Sequence, residues 1–243
     1  MNNIKKNVEQ FNKDVKDKGG YLYNEGVSGS LTRNRIVEAW KELYDFHGKN
    51  VLDMGCGDGK YTMELYKLIG DSGSILGIDA SEKAIESANN LMYKNIVNGG
   101  GVKFMVGNIY NIPLEKTFDC IALTGVLHHL SEPEKAILEI GKFSNTVVCM
   151  EPNGYNPALK ILEKVSKYHI GHEEQSFFMH TIEKWFNKAG FKVRKVKYID
   201  VVPMMCPDII AKILNKMNPF FENIPLIKQI SCGRVVILAE KNK

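Results

Sequence analysis

Between residues 51 and 61 the chain reads VLDMGCGDGKY, an apolar run that ends in Asp53 and is followed by Gly55, Gly57 and Gly59 at alternate positions. A glycine-rich turn after a strand leaves backbone N–H groups and a helix N-terminus open to a ligand that any Cβ would hold away. Two cofactor classes use such a loop. A dinucleotide site carries the spacing G-x-G-x-x-G and seats a pyrophosphate on the helix, whereas the spacing here is G-x-G-x-G. A carboxylate at Asp53 would repel a pyrophosphate and suits a positive amine, directly or through water. A second acid, Asp79, closes the run ILGID 26 residues later, placed to take two ribose hydroxyls. That acid alone does not discriminate, because NAD sites use one too.

S-adenosylmethionine carries an amine and no phosphate, and its sulfonium is already a strong electrophile. The protein then has mainly to place an acceptor in line with the S–CH3 bond in a dry site. Only an acceptor with a proton to lose needs a base, and His128 and His129 in GVLHHL are the candidates, since histidine titrates near neutral pH. Their alternative is packing or a loop hydrogen bond. Glu151 and Asn153 in EPNGYNP are placed to bind a polar acceptor group, or else serve turn chemistry among Pro152, Gly154 and Pro157. The stretch KYHIGHEEQSFFMH holds His169, His172, Glu173, Glu174 and His180. It lacks HExxH or a comparable ligand pattern, so no metal is expected, and His172 is read as facing substrate.

The elements that must position these groups follow from periodicity. Short apolar runs (NVLDMG, SILGIDAS, VKFMVGN, FDCIALTG, NTVVCMEPN) alternate with helical patterns near 59–69, 82–95 and 132–143, which means βαβ units and a parallel sheet covered on both faces. FKVRKVKYIDVV and CGRVVILAEK read as two further strands paired antiparallel at one edge. The fold class is therefore α/β, a doubly wound, mostly parallel, seven-stranded Rossmann-like sheet with an antiparallel edge strand and an N-terminal helical cap. In that cap, Ile4, Val8, Phe11 and Val15 form one stripe ended by Gly19-Gly20. A second helix, capped by Ser30 or Thr32, carries Ile36, Val37, Trp40, Leu43 and Tyr44. Between the last two strands, Asp208 caps a helix with an apolar stripe of Ile209, Ile210, Ile213, Leu214 and Met217, and Pro203, Pro207, Pro219 and Pro225 divide the insert into short pieces. The expected organisation is one domain: a cap over 1–48, a cofactor-binding core over 49–152, and a substrate side over 153–243 that includes the insert 203–225.

With 243 residues and 44% hydrophobic content the chain can bury an ample core. The net charge of +4, from 32 basic and 28 acidic residues, is spread along the chain and implies no nucleic-acid partner. Five scattered cysteines form no metal or disulfide pattern, and neither a signal peptide nor an 18-residue apolar run is present, so the reading is a cytoplasmic protein without an integral membrane segment.

Four segments in order resemble the class I S-adenosylmethionine-dependent methyltransferases. VLDMGCGDGKY is similar to the family's first motif, GIDAS to its ribose-binding acid, GNIYNIPL to the segment flanking the adenine, and FDCIALTGVLHHL to the strand-four segment leading to the active site. The resemblance implies that Gly55, Cys56 and Gly57, with Gly59 closing the loop, pack backbone against the methionine and ribose, with Asp53 near the amine. It places Asp79 and Ala80 at the ribose, Asn108 and the N–H of Ile109 at the adenine, and Thr124 and Gly125 at the sulfonium end. Asn108 stands where the family most often has an aspartate, although an amide oxygen can also accept.

Tyr21 and Tyr23, with the insert 203–225, would roof the pocket over a small-molecule acceptor. The apolar stripe of that insert leaves a lipid-linked substrate and a homodimer face both open. The expected activity is methyl transfer from S-adenosylmethionine to a small molecule. Its rivals are a non-catalytic S-adenosylmethionine-binding regulatory module, an NAD-dependent oxidoreductase, and a macromolecular methyltransferase, for which no appended basic domain speaks.

Overall fold

Strands whose two faces are both covered read as near-continuous apolar runs, and the runs in this chain build one sheet. The computed structural model describes residues 26–95, 100–166, 175–203 and 206–242. Seven strands, β1 (Asn50–Met54), β2 (Ser74–Asp79), β3 (Val102–Val106), β4 (Cys120–Thr124), β5 (Thr146–Pro152), β6 (Phe191–Ile199) and β7 (Arg234–Lys241), lie in the order β3-β2-β1-β4-β5-β7-β6. The first five are parallel. β7 inserts between β5 and β6 and pairs antiparallel with both, so the expected edge pair is antiparallel and β7 is the one strand that runs against the rest.

The period-two alternation of strand side chains divides the core into two layers. Leu52, Met54, Ile121, Leu123, Val147, Cys149 and Ile237 fall in one apolar cluster, and Val51, Cys120, Ala122, Val148, Met150 and Val236 in the other. Helix α1 (Gly26–Leu43) covers the second layer with Ile36, Trp40 and Leu43, beside Leu65 and Ile69 of α2 (Lys60–Ile69). On the first layer lie α4 (Pro133–Ile140), through Ala136, Ile137 and Ile140, and α6 (Met179–Lys188), through Ile182 and Phe186. Between them in sequence come α3 (Glu82–Asn95) and α5 (Pro157–Val165). The strand order turns back between β1 and β4, the switch point at which doubly wound sheets open a crevice at the strands' carboxyl ends.

The structure corrects three local expectations. Helix α1 starts at Gly26, so Ser30 and Thr32 lie inside it; Thr32 Oγ1 instead donates to Asp200 Oδ2 at 2.8 Å, a distant partner that local capping logic does not foresee. Asp208 occupies the first turn of α7 (Asp208–Asn223), behind an N-cap at Pro207, and caps nothing. That helix also runs through Pro219 where a break was expected. Its neighbours anchor it on both sides, Asn218 Oδ1 accepting from Val201 N at 2.9 Å and Glu222 Oε1 from Asp200 N at 2.9 Å. A short α8 (Ile227–Ser231) leads into β7. The helix expected over residues 2–18, together with Tyr21, Tyr23, His169, His172, Glu173 and Glu174, lies outside the described residues.

Candidate active site

The loop after β1 is shaped by close approach. Gly55 has φ 78°, and a Cβ there would meet Val126 Cγ2 at 2.6 Å. Gly59 has φ 79° and would meet Ala88 Cβ and a ring carbon of Phe104, both at 2.9 Å, so it serves the packing of α3 on the loop. Gly57, at φ 54°, turns its N–H onto Asp79 Oδ2 at 2.9 Å. The turn joins two strand ends, since Asp79 Oδ1 also accepts from Ser81 N at 2.9 Å. Each carboxylate oxygen has two lone-pair sites, so Asp79 keeps acceptor capacity for hydroxyl donors. Burial raises its pKa, opposed by the backbone N–H groups of Ser81, Gly57 and Ala80. Ala80 itself is exposed at the rim.

Asp53 is fully buried beneath the loop. Its Oδ2 accepts from Thr62 Oγ1 at 2.6 Å, tying β1 to α2, while Oδ1 is buried with no hydrogen-bond partner. Burial pushes its pKa up to about 7; the Thr62 hydrogen bond pulls it back and the charge of Asp79 raises it further. Two carboxylates set against one loop disfavour a bound phosphate and favour a ligand that brings positive charge and hydroxyl groups. The unsatisfied oxygen of Asp53 and the remaining acceptor sites of Asp79 therefore fit an aminoacyl nucleoside without phosphate. Cys56 is buried, its thiol pKa raised by burial, and its sulfur lies where a Cβ on Gly77 would meet it at 3.0 Å, so it is a filler and no nucleophile.

In the segment after β3, Asn108 is exposed, and its Oδ1 accepts from Tyr110 N at 3.0 Å, which closes a turn and leaves the amide oxygen a second acceptor site. Ile109 sends its side chain into the core. At the end of β4, Thr124 Oγ1 is buried with no hydrogen-bond partner, and Gly125, at φ 70°, donates its N–H to Met150 O at 2.8 Å.

Glu151 explains how the double histidine is held. The chain leaves β4 into a 3-10 turn over Leu127–His129. Glu151, fully buried at the end of β5, accepts from Val126 N at 2.9 Å, Leu127 N at 2.8 Å and His128 N at 3.2 Å, and lies 2.8 Å from His128 Nδ1. The His129 ring sits 3.9 Å from that of His128, centroid to centroid. Asn153 is likewise buried, and its amide donates to Gln229 O at 2.7 Å and Cys232 O at 2.8 Å while its oxygen accepts from Tyr155 N at 3.1 Å. Glu151 and Asn153, expected to meet the acceptor, are thus committed to the protein's own backbone; they shape the site's wall.

Sequence reasoning passed over two groups at the same edge. Asp200, at φ 66°, ends β6 as Asp53 and Asp79 end their strands, and it is buried, taking Thr32 Oγ1, Arg234 Nη1 at 2.5 Å and Val202 N at 3.0 Å. The signal was available, for YID repeats the apolar-run-then-acid pattern. Beyond β5, Tyr155, Phe178 and His180 cluster, with Tyr155 Oη 3.1 Å from His180 Nδ1 and Phe178 stacked on His180 at 5.6 Å. Among the described residues no group of three or more His, Cys, Asp or Glu side chains is placed to hold a metal, and no helix is long and apolar enough to cross a membrane.

A demethylmenaquinone methyltransferase of Lactococcus lactis is 30% identical over 132 residues, 53% of this chain and 51% of that protein. The mitochondrial ubiquinone biosynthesis O-methyltransferase of Schizosaccharomyces pombe is 28% identical over 138 residues, covering 55% of this chain and 48% of that one. The matches thus span about half the length of these relatives. Among solved structures, the magnesium protoporphyrin IX methyltransferase of Synechocystis with bound SAH superposes with a TM-score of 0.69 at 16% identity, covering 97% of this chain and 98% of that one. The [4+2]-cyclase SpnF does so at 0.68 and 15%, over 98% and 93%. At such identities the structures speak for the fold alone. The family described as methyltransferase domain matches residues 45–199, which hold the glycine loop, Asp79, the double histidine and Glu151, and the chain belongs to that family.

Proposed function

We propose that this chain transfers a methyl group from S-adenosylmethionine to a small-molecule acceptor. The observation that carries the proposal is the pair of carboxylates at one glycine loop: Asp79, bonded to Gly57 N–H with acceptor sites to spare, and Asp53, with one buried oxygen unsatisfied. When bound there, the cofactor supplies an electrophilic methyl group. The chain is taken as one methyltransferase domain, residues 49–152 holding the cofactor and residues 153–243 facing the acceptor. Asp79 binds the ribose hydroxyls, Asp53 offsets the amine from beneath the loop, and Thr124 and Gly125 border the reacting end.

For an acceptor that loses a proton, His128 is the base we assign. The Glu151 carboxylate at Nδ1 holds the proton on that nitrogen, which leaves the lone pair on Nε2. Glu151 is then a positioning residue that fixes tautomer and ring orientation while its three backbone contacts fix the turn. The names of the two relatives, a demethylmenaquinone methyltransferase and a ubiquinone biosynthesis O-methyltransferase, and the aromatic cluster of Tyr155, Phe178 and His180 support a ring-bearing acceptor.

Calorimetric titration with S-adenosylmethionine and with NADH tests the cofactor reading. The expected result is one-to-one binding of the former, weakened by about 1–3 kcal/mol in Asp79→Ala through lost charge-assisted hydrogen bonds. Binding of NADH alone, or an unmoved affinity in a folded Asp79→Ala protein, overturns it. The cyclase with the same fold keeps a second reading in view, a cofactor-binding protein without methyl transfer; labelled methyl appearing in any ring-bearing acceptor removes it.

A further inference from the structure

Helix α7 is amphipathic, yet it is mounted with its apolar face outward. Its buried side consists of Ala211 and Asn218, while Ile209, Ile213 and Phe220 on the opposite side are 74%, 55% and 58% exposed. At 100° per residue, Ile209, Ile210, Ile213, Met217 and Phe220 fall within about 100° of arc, and Ala211 and Asn218 lie across the axis from them. The pattern continues beyond the helix. Ten of the fifteen large apolar side chains exposed among the described residues belong to α5, α7, α8 and the residue just before α8, Leu226 and Ile230 included. The pieces adjoin, since the Asn156 amide at the start of α5 donates to Ser231 O and Cys232 O at the end of α8, both at 3.2 Å.

A face of this kind normally marks an interaction site, and the charges around it select the occupant. Lys160 pairs with Glu163 and Arg35 with Glu222. That leaves Lys164, Lys212, Lys216 and Lys228 against Asp208 on these three helices, an excess of three positive charges. Lys212 and Lys216 both border one edge of the apolar arc of α7. A second copy of this chain would bring two such lysine rims together, an arrangement that like charges disfavour. A layer of negative headgroups above acyl chains matches both features, lysines at the charged level and isoleucine, methionine and phenylalanine below it. We propose that the outward face of α7, continued by α5 and α8, docks on an anionic lipid bilayer surface with α7 lying in the headgroup plane. Docking there sets the carboxyl edge of the sheet beside the bilayer, because Glu222 at the end of α7 binds the backbone of Asp200 at the end of β6.

The proposal is independent of methyl transfer, because vesicle binding is read without cofactor or acceptor; its failure leaves the proposed reaction standing. The test is co-sedimentation of the full chain with vesicles of phosphatidylcholine mixed with phosphatidylglycerol, and with phosphatidylcholine alone, at low and high salt. The expected result is binding to the mixed vesicles, weakened by salt, about fivefold weaker in each of Lys212→Ala and Lys216→Ala, and about tenfold or more weaker in Ile213→Asp/Phe220→Asp. These positions are exposed, so the variants should melt with the wild type, and a circular-dichroism melt verifies it. Absence of binding, equal binding to both vesicle types, or binding unmoved by the substitutions overturns the proposal. So does light scattering that finds a dimer which Ile213→Asp dissolves, the result that assigns the face to a second copy.

Discussion

The two halves of the sheet treat polar and apolar groups in opposite ways. Around β1, β2 and β4 the apolar strands are sealed by helices, and the groups left unsatisfied inside are polar: Asp53 Oδ1 and Thr124 Oγ1. Around β6, β7 and α7 the interior polar groups are satisfied, Asp200 by Thr32, Arg234 and Val202, and Asn218 by Val201 and Asn215, while apolar side chains stand outside. Unsatisfied polar atoms in a closed interior suit a small polar ligand, and unsatisfied apolar area on the outside suits a partner surface. The first half is built to take something in, the second to lie against something.

The largest expected effect tests whether the wall between these halves is held by Glu151. Replacing it with alanine leaves the N–H groups of Val126, Leu127 and His128 without their acceptor, which should cost about 3–5 kcal/mol in denaturant unfolding. Glu151→Gln sharpens the test. Its carbonyl can still accept from the backbone, so most stability should return, but its NH2 facing His128 Nδ1 favours the other tautomer. Methyl transfer to a proton-bearing acceptor should then stay depressed with a changed pH profile, which a purely structural Glu151 would not produce.

Next in size is a pH effect confined to the closed half. Folded Asp53 holds its proton up to about pH 7, against an ordinary carboxyl value of 3.8. The stability linked to that proton is therefore complete below about pH 4 and lost as pH rises through about 7, by up to about 4 kcal/mol. Asp53→Asn removes that charge, so the free protein should lose stability less steeply between pH 5 and 8 and be more stable than wild type at pH 8. Its affinity for an amine-bearing cofactor should fall at the same time. Denaturant melts across this range, paired with calorimetry, read both, and parallel stability curves for the two proteins would refute the assignment.

Thr32→Val probes the open half at about 1–2 kcal/mol. It deletes one buried hydrogen bond to Asp200 at constant shape, and Arg234 remains to hold the carboxylate. Thermal unfolding checks it. A much larger loss would mean that the Asp200 network is as brittle as the wall around Glu151.

The same contrast explains what was legible in the sequence. Around the cofactor loop, function constrains backbone: Gly55 must clear Val126 and Asp79 must reach Gly57 N–H, and both demands appear as residue types at fixed places after apolar runs. The five inner strands were readable because burial forces near-continuous apolar runs, and the edge strands β3 and β6, partly exposed, were readable as apolar residues interleaved with charged ones, as in FKVRKVKYI. Glu151 and Asn153 were visible as polar residues at a strand end, but their direction was not, since their backbone partners at residues 126–128 and at Gln229 and Cys232 are distant in sequence. Helix α7 failed for a related reason. Its stripe was legible, whereas which side faces the core depends on Asn218 and Glu222 bonding to the turn after β6, and no periodicity records that.

That helix yields the smallest expected number and the sharpest contrast. Apolar residues on an ordinary amphipathic helix bury area, so truncating one costs about 2–5 kcal/mol, as expected for Leu65→Ala in α2, whose side chain is fully buried. The Ile213 side chain has already paid no desolvation in the isolated chain, being more than half exposed. Ile213→Asn should therefore change unfolding free energy by no more than about 0.5 kcal/mol. If denaturant melts instead show a loss comparable to Leu65→Ala, the α7 stripe is covered in the free protein and the difference between the two halves disappears. If stability is unmoved while adsorption to anionic vesicles falls, the outward face contributes nothing to folding, and its apolar composition answers to the surface it meets.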